Sequence, residues 1–145
     1  MPVVSSWLYP TEAGLYCEAG RFHVDPVRPV ERAIITHGHS DHARAGHGAV
    51  LATAETIEVM RVRLGPDCAG SLQALALGAR LRLGDADVRL VPAGHILGSA
   101  QVVIQHAGAR AVVSGDYKRA PDPTCLPFEP VTCDVFITEA TFGLP

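Results

Sequence analysis

A chain of 145 residues, 48% hydrophobic and 19% charged, holds one domain's worth of ordinary globular sequence, which excludes a disordered charged tail. Its net charge of −3, with 11 Arg and Lys118 as the one lysine, excludes a histone-like binder that grips nucleic acid through a general basic excess. No apolar run approaches the ~18 residues of a membrane span, and the first six residues lack the basic and apolar stretches of a secretory signal.

Fourteen Gly and 11 Pro cut the chain into short apolar pieces. Residues 33–36 read as a buried strand and 49–53 as another. Ile57, Met60 and Leu64 recur at helical spacing, so residues 55–64 read as a short amphipathic helix, opened by Thr53 or Thr56. Residues 79–83 alternate apolar with charged side chains, as a half-exposed strand does, and Gly84-Asp85 makes a turn. Val88, Leu90 and Val91 lead into Pro92-Ala93-Gly94; residues 101–105 and 110–114 follow as strands around a turn at Ala107-Gly108. Residues 117–134 are too rich in proline and turn formers for any element and read as a long loop, before a last strand at 135–138. The succession is α/β, strand-rich, with most helix in the first half. Cys17, Cys68, Cys125 and Cys133 have no metal-site spacing and read as the reduced thiols of a cytoplasmic protein.

The chemistry concentrates in Thr36-His37-Gly38-His39-Ser40-Asp41-His42. In an extended segment, side chains two apart point the same way, so His37 and His39 can converge on one cation. Asp41 continues that parity, whereas His42 needs a turn to reach in. Imidazole and carboxylate donors suit zinc, manganese or iron(II), and two pairs so close in sequence suggest two ions side by side. Four donor side chains packed into six residues are costly to bury unless they act together. Two other apolar strands end in a glycine and one donor: Gly94-His95 and Gly115-Asp116. The glycines let the backbone turn sharply, and the two oxygens of Asp116 suit a bridge between ions. Arg44, Lys118 and Arg119 are candidates for phosphate contacts. His23, His47 and His106 fall outside the motifs and read as surface or structural residues.

The order HxHxDH, then His, then Asp resembles that of the metallo-β-lactamase fold. His95-Ile96-Leu97-Gly98-Ser99-Ala100, Ser114-Gly115-Asp116-Tyr117 and Glu139-Ala140-Thr141-Phe142-Gly143 resemble the β-CASP nucleases. Asp41-His42-Ala43-Arg44, Asp116-Tyr117-Lys118-Arg119 and the run from Asp122 to Pro130 are similar to the bacterial ligase-associated DNA exonucleases. The resemblance implies an αββα sandwich, here its N-terminal half only, with a mixed sheet and few helices. It implies two divalent ions, zinc first and manganese second. His37, His39 and His95 would hold one, Asp41 and His42 the other, with Asp116 between them. Asp41 would orient the attacking water or accept its proton, and Glu139 would orient a catalytic His further along. A metal-ligand His beyond a β-CASP insertion belongs to the pattern and neither lies in residues 1–145. The chain therefore reads as the N-terminal part of a metallo-β-lactamase domain, and an exposed apolar sheet face or edge is expected where the rest would pack.

The expected function is metal-dependent hydrolysis of DNA phosphodiesters, as an exonuclease in DNA repair. DNA is the expected partner ahead of RNA, together with a DNA ligase and a helicase and no membrane. RNA processing by the same motifs is the alternative, as is an inactive fragment or binding module. A thioesterase or lactamase of the same fold is disfavoured by Thr141-Phe142-Gly143.

Overall fold

A computed structural model describes residues 3–138. The first sheet contains β1 (Leu8–Thr11), β2 (Gly14–Cys17), β3 (Phe22–Val24), β4 (Arg32–Ile34), β5 (His47–Ala52) and β6 (Ala69–Ala74), side by side in that order. Strands β1 to β3 form an antiparallel meander, and β3 to β6 run parallel. The second sheet has the order β11-β10-β9-β8-β7, formed by β7 (Arg80–Leu83), β8 (Ala86–Pro92), β9 (Ala100–His106), β10 (Ala109–Val113) and β11 (Val135–Ile137). It is antiparallel except for the parallel pair β10–β11.

Parallel neighbours need a crossover, and α1 (Ala54–Leu64) supplies the one between β5 and β6. Of the two candidate caps, Thr53 opens the helix: its hydroxyl accepts the Thr56 N–H at 3.2 Å. Ile57 and Met60 are buried on the outer face of the first sheet, against Ala33, Ile35, Val50 and Ala52. The opposite face carries Phe22, Val24, Ile34 and Leu51, which pack on Val88, Leu90, Val102, Ile104 and Val113 of the second sheet. This inter-sheet layer is the main core.

Strand β9 at the centre of the second sheet is buried on both faces over residues 100–104, which is why 102–104 run as consecutive apolar residues rather than alternating. The sheet's outer residues Val91, Val103 and Val112 are covered by Val131 and Cys133. These belong to the proline-rich segment, which forms no helix or strand between β10 and β11 yet supplies the covering layer. Strand β11 is an edge of the second sheet, and its Val135 and Phe136 are exposed. All four cysteines are free thiols, Cys17 and Cys68 buried. No helix of the described residues is long and apolar enough to cross a membrane.

Candidate metal centre

Each donor-bearing loop leaves the C-terminal end of a strand at the same mouth of the sandwich. His37, His95 and Asp116 each lie three residues beyond the last residue of β4, β8 and β10. Asp25 directly follows β3. Open α/β sheets place their sites at such strand ends because the loops there are free to vary while the strands hold them in register.

The HxHxDH segment lies outside any strand and bends at Gly38 and His39. After His39 the chain turns, with the His42 and Ala43 N–H groups both bonded to the His39 carbonyl. That turn draws His42 inward to near-complete burial and carries Asp41 outward, its side chain 71% exposed. Asp41 therefore leaves the His37/His39 parity and stands beside His42.

Two donor sets share one carboxylate. The first joins His37, His39, His95 and Asp116; the second joins Asp41, His42 and Asp116. In the first, His39 Nδ1 and His95 Nε2 are 3.2 Å apart, and Asp116 Oδ2 lies 3.6 Å from His37 Nε2 and 3.7 Å from His95 Nε2. In the second, His42 Nε2 is 3.4 Å from both Asp41 Oδ2 and Asp116 Oδ1. Tetrahedral ligation at ~2.0–2.1 Å separates neighbouring donor atoms by roughly 3.3 Å. The observed separations bracket that value. His37 Nε2 and Asp116 Oδ1 are buried without a hydrogen-bond partner, as donors reserved for a cation are. The residues present fit two divalent ions.

Asp25, which sequence reading missed, fixes the tautomers. Its carboxylate accepts from the Thr36 N–H (2.8 Å), the Thr36 hydroxyl (2.6 Å) and His42 Nδ1–H (2.7 Å). Having donated its one proton to Asp25, the Thr36 hydroxyl accepts from His37 Nδ1–H at 3.0 Å. In their neutral forms both imidazoles therefore carry the proton on Nδ1 and turn Nε2 to the cluster, the arrangement expected of histidine ligands supported from behind. Gly115 must be a glycine for the same reason of closeness. It has φ +56°, and a Cβ there would lie 2.5 Å from the Thr36 hydroxyl.

The metal-free electrostatics divide the histidines. Burial, aided by the neighbouring His42, His95 and His39, lowers His37 to about 3. Burial also works against His42, but the Asp25 hydrogen bond and the charges of Asp25, Asp116 and Asp41 overcome it and raise His42 to about 9. His95 is lowered, chiefly by burial.

Second-rank contacts hold the loops. Arg63, from the last turn of α1, donates to the Gly38 carbonyl at 2.7 Å. The Ser99 hydroxyl accepts the His95 and Ile96 N–H groups at 3.0 and 3.2 Å. Thr53 and Thr56 hydroxyls donate to the Gly98 carbonyl. Of the phosphate candidates, Arg44, Lys118 and Arg119 are exposed, with Lys118 3.4 Å from Asp122. Glu139 and the 139–143 motif lie outside the described residues. The remaining histidines are occupied by the fold: His23 stacks on Tyr16, His47 Nδ1 accepts the Val30 N–H, and His106 donates to the Asp85 carbonyl.

Comparison with known proteins follows the same line. A probable DNA ligase of Opitutus terrae is 36% identical over 138 residues, covering 91% of this chain and 13% of that protein. A ribonuclease of Thermus thermophilus is 34% identical over 147 residues, covering 84% and 34%. An endoribonuclease of Aspergillus fumigatus is 45% identical over 56 residues, 37% of this chain and 6% of that protein. The chain belongs to the metallo-β-lactamase-fold nucleases of the β-CASP type. Solved structures agree on the fold of this nuclease family member. A mutant of the CmlA β-hydroxylase superposes with TM-score 0.54 at 18% identity, over 77% of this chain and 30% of that one. A mutant metallo-β-lactamase of Cronobacter sakazakii superposes at 0.50 and 17% identity, over 64% and 43%. No protein-family model matches. The chain spans about a third or less of the length of the curated relatives named here.

Proposed function

We propose that this β-CASP-type chain carries the di-metal half of a DNA phosphodiesterase, an exonuclease that works in the cytoplasm beside a DNA ligase during repair. The observation that carries it is the shared carboxylate: Asp116 offers Oδ2 to His37 and His95 and Oδ1 to His42, one oxygen per donor set. His37, His39 and His95 would hold the first ion and Asp41 and His42 the second. Bound there, two divalent cations, zinc or manganese, supply electrophilic polarisation of a phosphoryl group and acidification of water.

The chain's own residues divide the remaining work. Asp25 and Thr36 keep the single proton of neutral His37 and His42 on Nδ1, so that each turns Nε2 towards the cluster, and at His42 a cation must displace the proton held there below about pH 9. Asp41, exposed at the mouth, would orient the attacking water or accept its proton through the carboxylate oxygen not engaged with the second ion. Arg44, Lys118 and Arg119 meet substrate phosphates as they approach. In this reading Glu139 orients a catalytic histidine. A helicase is a further partner in this reading.

The link to ligation rests on the similarity to the Opitutus probable DNA ligase, which extends over most of this chain. The similarity to the Thermus ribonuclease, over nearly as much of it, favours RNA as a second reading. Incubating the protein with end-labelled DNA, end-labelled RNA and a thioester, with and without chelator, separates them. Mononucleotide release from DNA that chelation abolishes is the expected outcome. RNA cleavage alone would establish the second reading, and activity indifferent to chelator would remove both.

A further inference from the structure

The segment after Asp116 is fastened to the rim of the metal centre. The Lys118 N–H donates to the Ala93 carbonyl at 3.0 Å and the Glu129 N–H to the Pro92 carbonyl at 3.1 Å. The buried Gln101 amide donates to the Pro92 and Glu129 carbonyls at 2.9 and 2.7 Å. Gly94, next to His95, sits so close that a Cβ there would come within 2.5 Å of the Lys118 carbonyl and 2.9 Å of the Phe128 nitrogen. Tyr117 and Phe128 are thereby held at the site, with ring centroids 5.0 Å apart and planes tilted by 35°.

A third ring extends this pair outward. Phe136 on β11 pairs in register with Val112 of β10, the strand that ends in Asp116, and so faces the outer side of the second sheet. Its centroid is 5.9 Å from that of Tyr117. Packing accounts for Phe128, which supports Tyr117 from one side. It does not account for Phe136, which is 42% exposed with Tyr117 as its only ring neighbour among the described residues. Exposed Lys118 and Arg119 directly follow Tyr117 in the chain. The nearby acid, Asp122, is engaged by the Thr124 N–H and hydroxyl at 2.9 and 2.6 Å and by Lys118.

We propose that Tyr117 and Phe136 form a nucleobase-stacking platform that leads an unpaired strand end into the metal centre, with Lys118 and Arg119 on its phosphates. Alternating aromatic faces and cations are what a single strand needs: every base has a π-face, and the backbone between stacked bases carries one charge per nucleotide. A duplex cannot use the platform, because its bases are already stacked on each other. The inference rests on the nuclease reading above and makes it specific for single strands.

Equilibrium binding of fluorescein-labelled 12-mers to the protein tests it, using strands of DNA and of RNA, the same DNA strand with abasic residues, and the DNA duplex. The native protein is expected to bind the intact single strands at least tenfold more tightly than the abasic strand or the duplex. Phe136→Ala, at an exposed position, is expected to remove about tenfold of that preference, and Phe136→Trp to restore it. A 2-aminopurine base in the strand is quenched by the native protein and not by Phe136→Ala. Equal affinity for intact and abasic strands, or an unchanged preference in Phe136→Ala, overturns the platform while leaving the nuclease reading in place. Absence of binding to every nucleic acid overturns both. DNA and RNA bound alike supports stacking, which does not read the sugar.

Discussion

Removing the charge of Asp25 is the most informative single perturbation, because one carboxylate governs both donor sets. In Asp25→Asn the shape is kept, but the acceptor for His42 Nδ1–H at 2.7 Å loses its charge. A histidine held at about 9 instead of 6.5 reflects roughly 3 kcal/mol of preference for the cation. Without Asp25, burial acts on His42 with only Asp116 and Asp41 opposing it, so its pKa falls well below 9. Two effects on metal affinity then oppose each other. Loss of the supporting carboxylate weakens ligation by about 10–100-fold. Loss of the competing proton strengthens it as the pH falls. Between pH 9 and 7 the native protein should lose about tenfold in affinity per pH unit, whereas the variant's profile stays nearly flat. The two proteins therefore differ most at about pH 9 and converge towards pH 7. Titration against a chromogenic chelator at half-unit pH steps, with circular dichroism to verify folding, reads this directly. Parallel profiles, or equal affinities at pH 9, would refute the reasoning.

The metal-free protein should be most stable near neutrality, with a loss on either side. His42, raised in the fold, contributes stability that is complete below pH 6.5 and disappears as the pH rises through about 9. His37, lowered to about 3, favours the unfolded chain increasingly as the pH falls from 6.5, and lowered His23, His47 and His95 act in the same direction. Thermal melts across pH 4–9.5 should trace that peak, and a monotonic profile would contradict it. Arg63→Met frees the Gly38 carbonyl and should cost about 1 kcal/mol, with weaker metal binding that Arg63→Lys partly restores in the same titration. Gly94→Ala meets backbone at 2.5 Å and a φ of +72°, so a loss of at least ~2 kcal/mol by denaturant unfolding is expected. Thr53→Ala removes both the helix cap and a bond to Gly98, with a cost of about 1–2 kcal/mol in the same assay.

What could be read beforehand depended on how local the signal was. Helix α1 was legible because Ile57, Met60 and Leu64 share a face, and the strands of the second sheet because turn glycines bound them. The meander β1–β3 was not, since strands of three or four residues broken by Pro10, Gly14 and Gly20 carry too little periodicity. The donors stood out by type and spacing. Asp25 did not: an aspartate before a proline reads as a turn, and its role arises only because parallel pairing sets β3 beside β4 and hence Asp25 beside Thr36. The arrangement around Asp41 needed the turn after His39, which a parity argument cannot supply. The cover on the outer sheet came from a segment whose prolines exclude regular structure but not packing.

The central claim, that one carboxylate unites two cation sites, is tested most directly by anomalous diffraction from crystals grown with zinc or manganese. Two peaks are expected on either side of Asp116, one ligated by His37, His39 and His95 and the other by Asp41 and His42. A single peak, or two peaks that do not share Asp116, would contradict it.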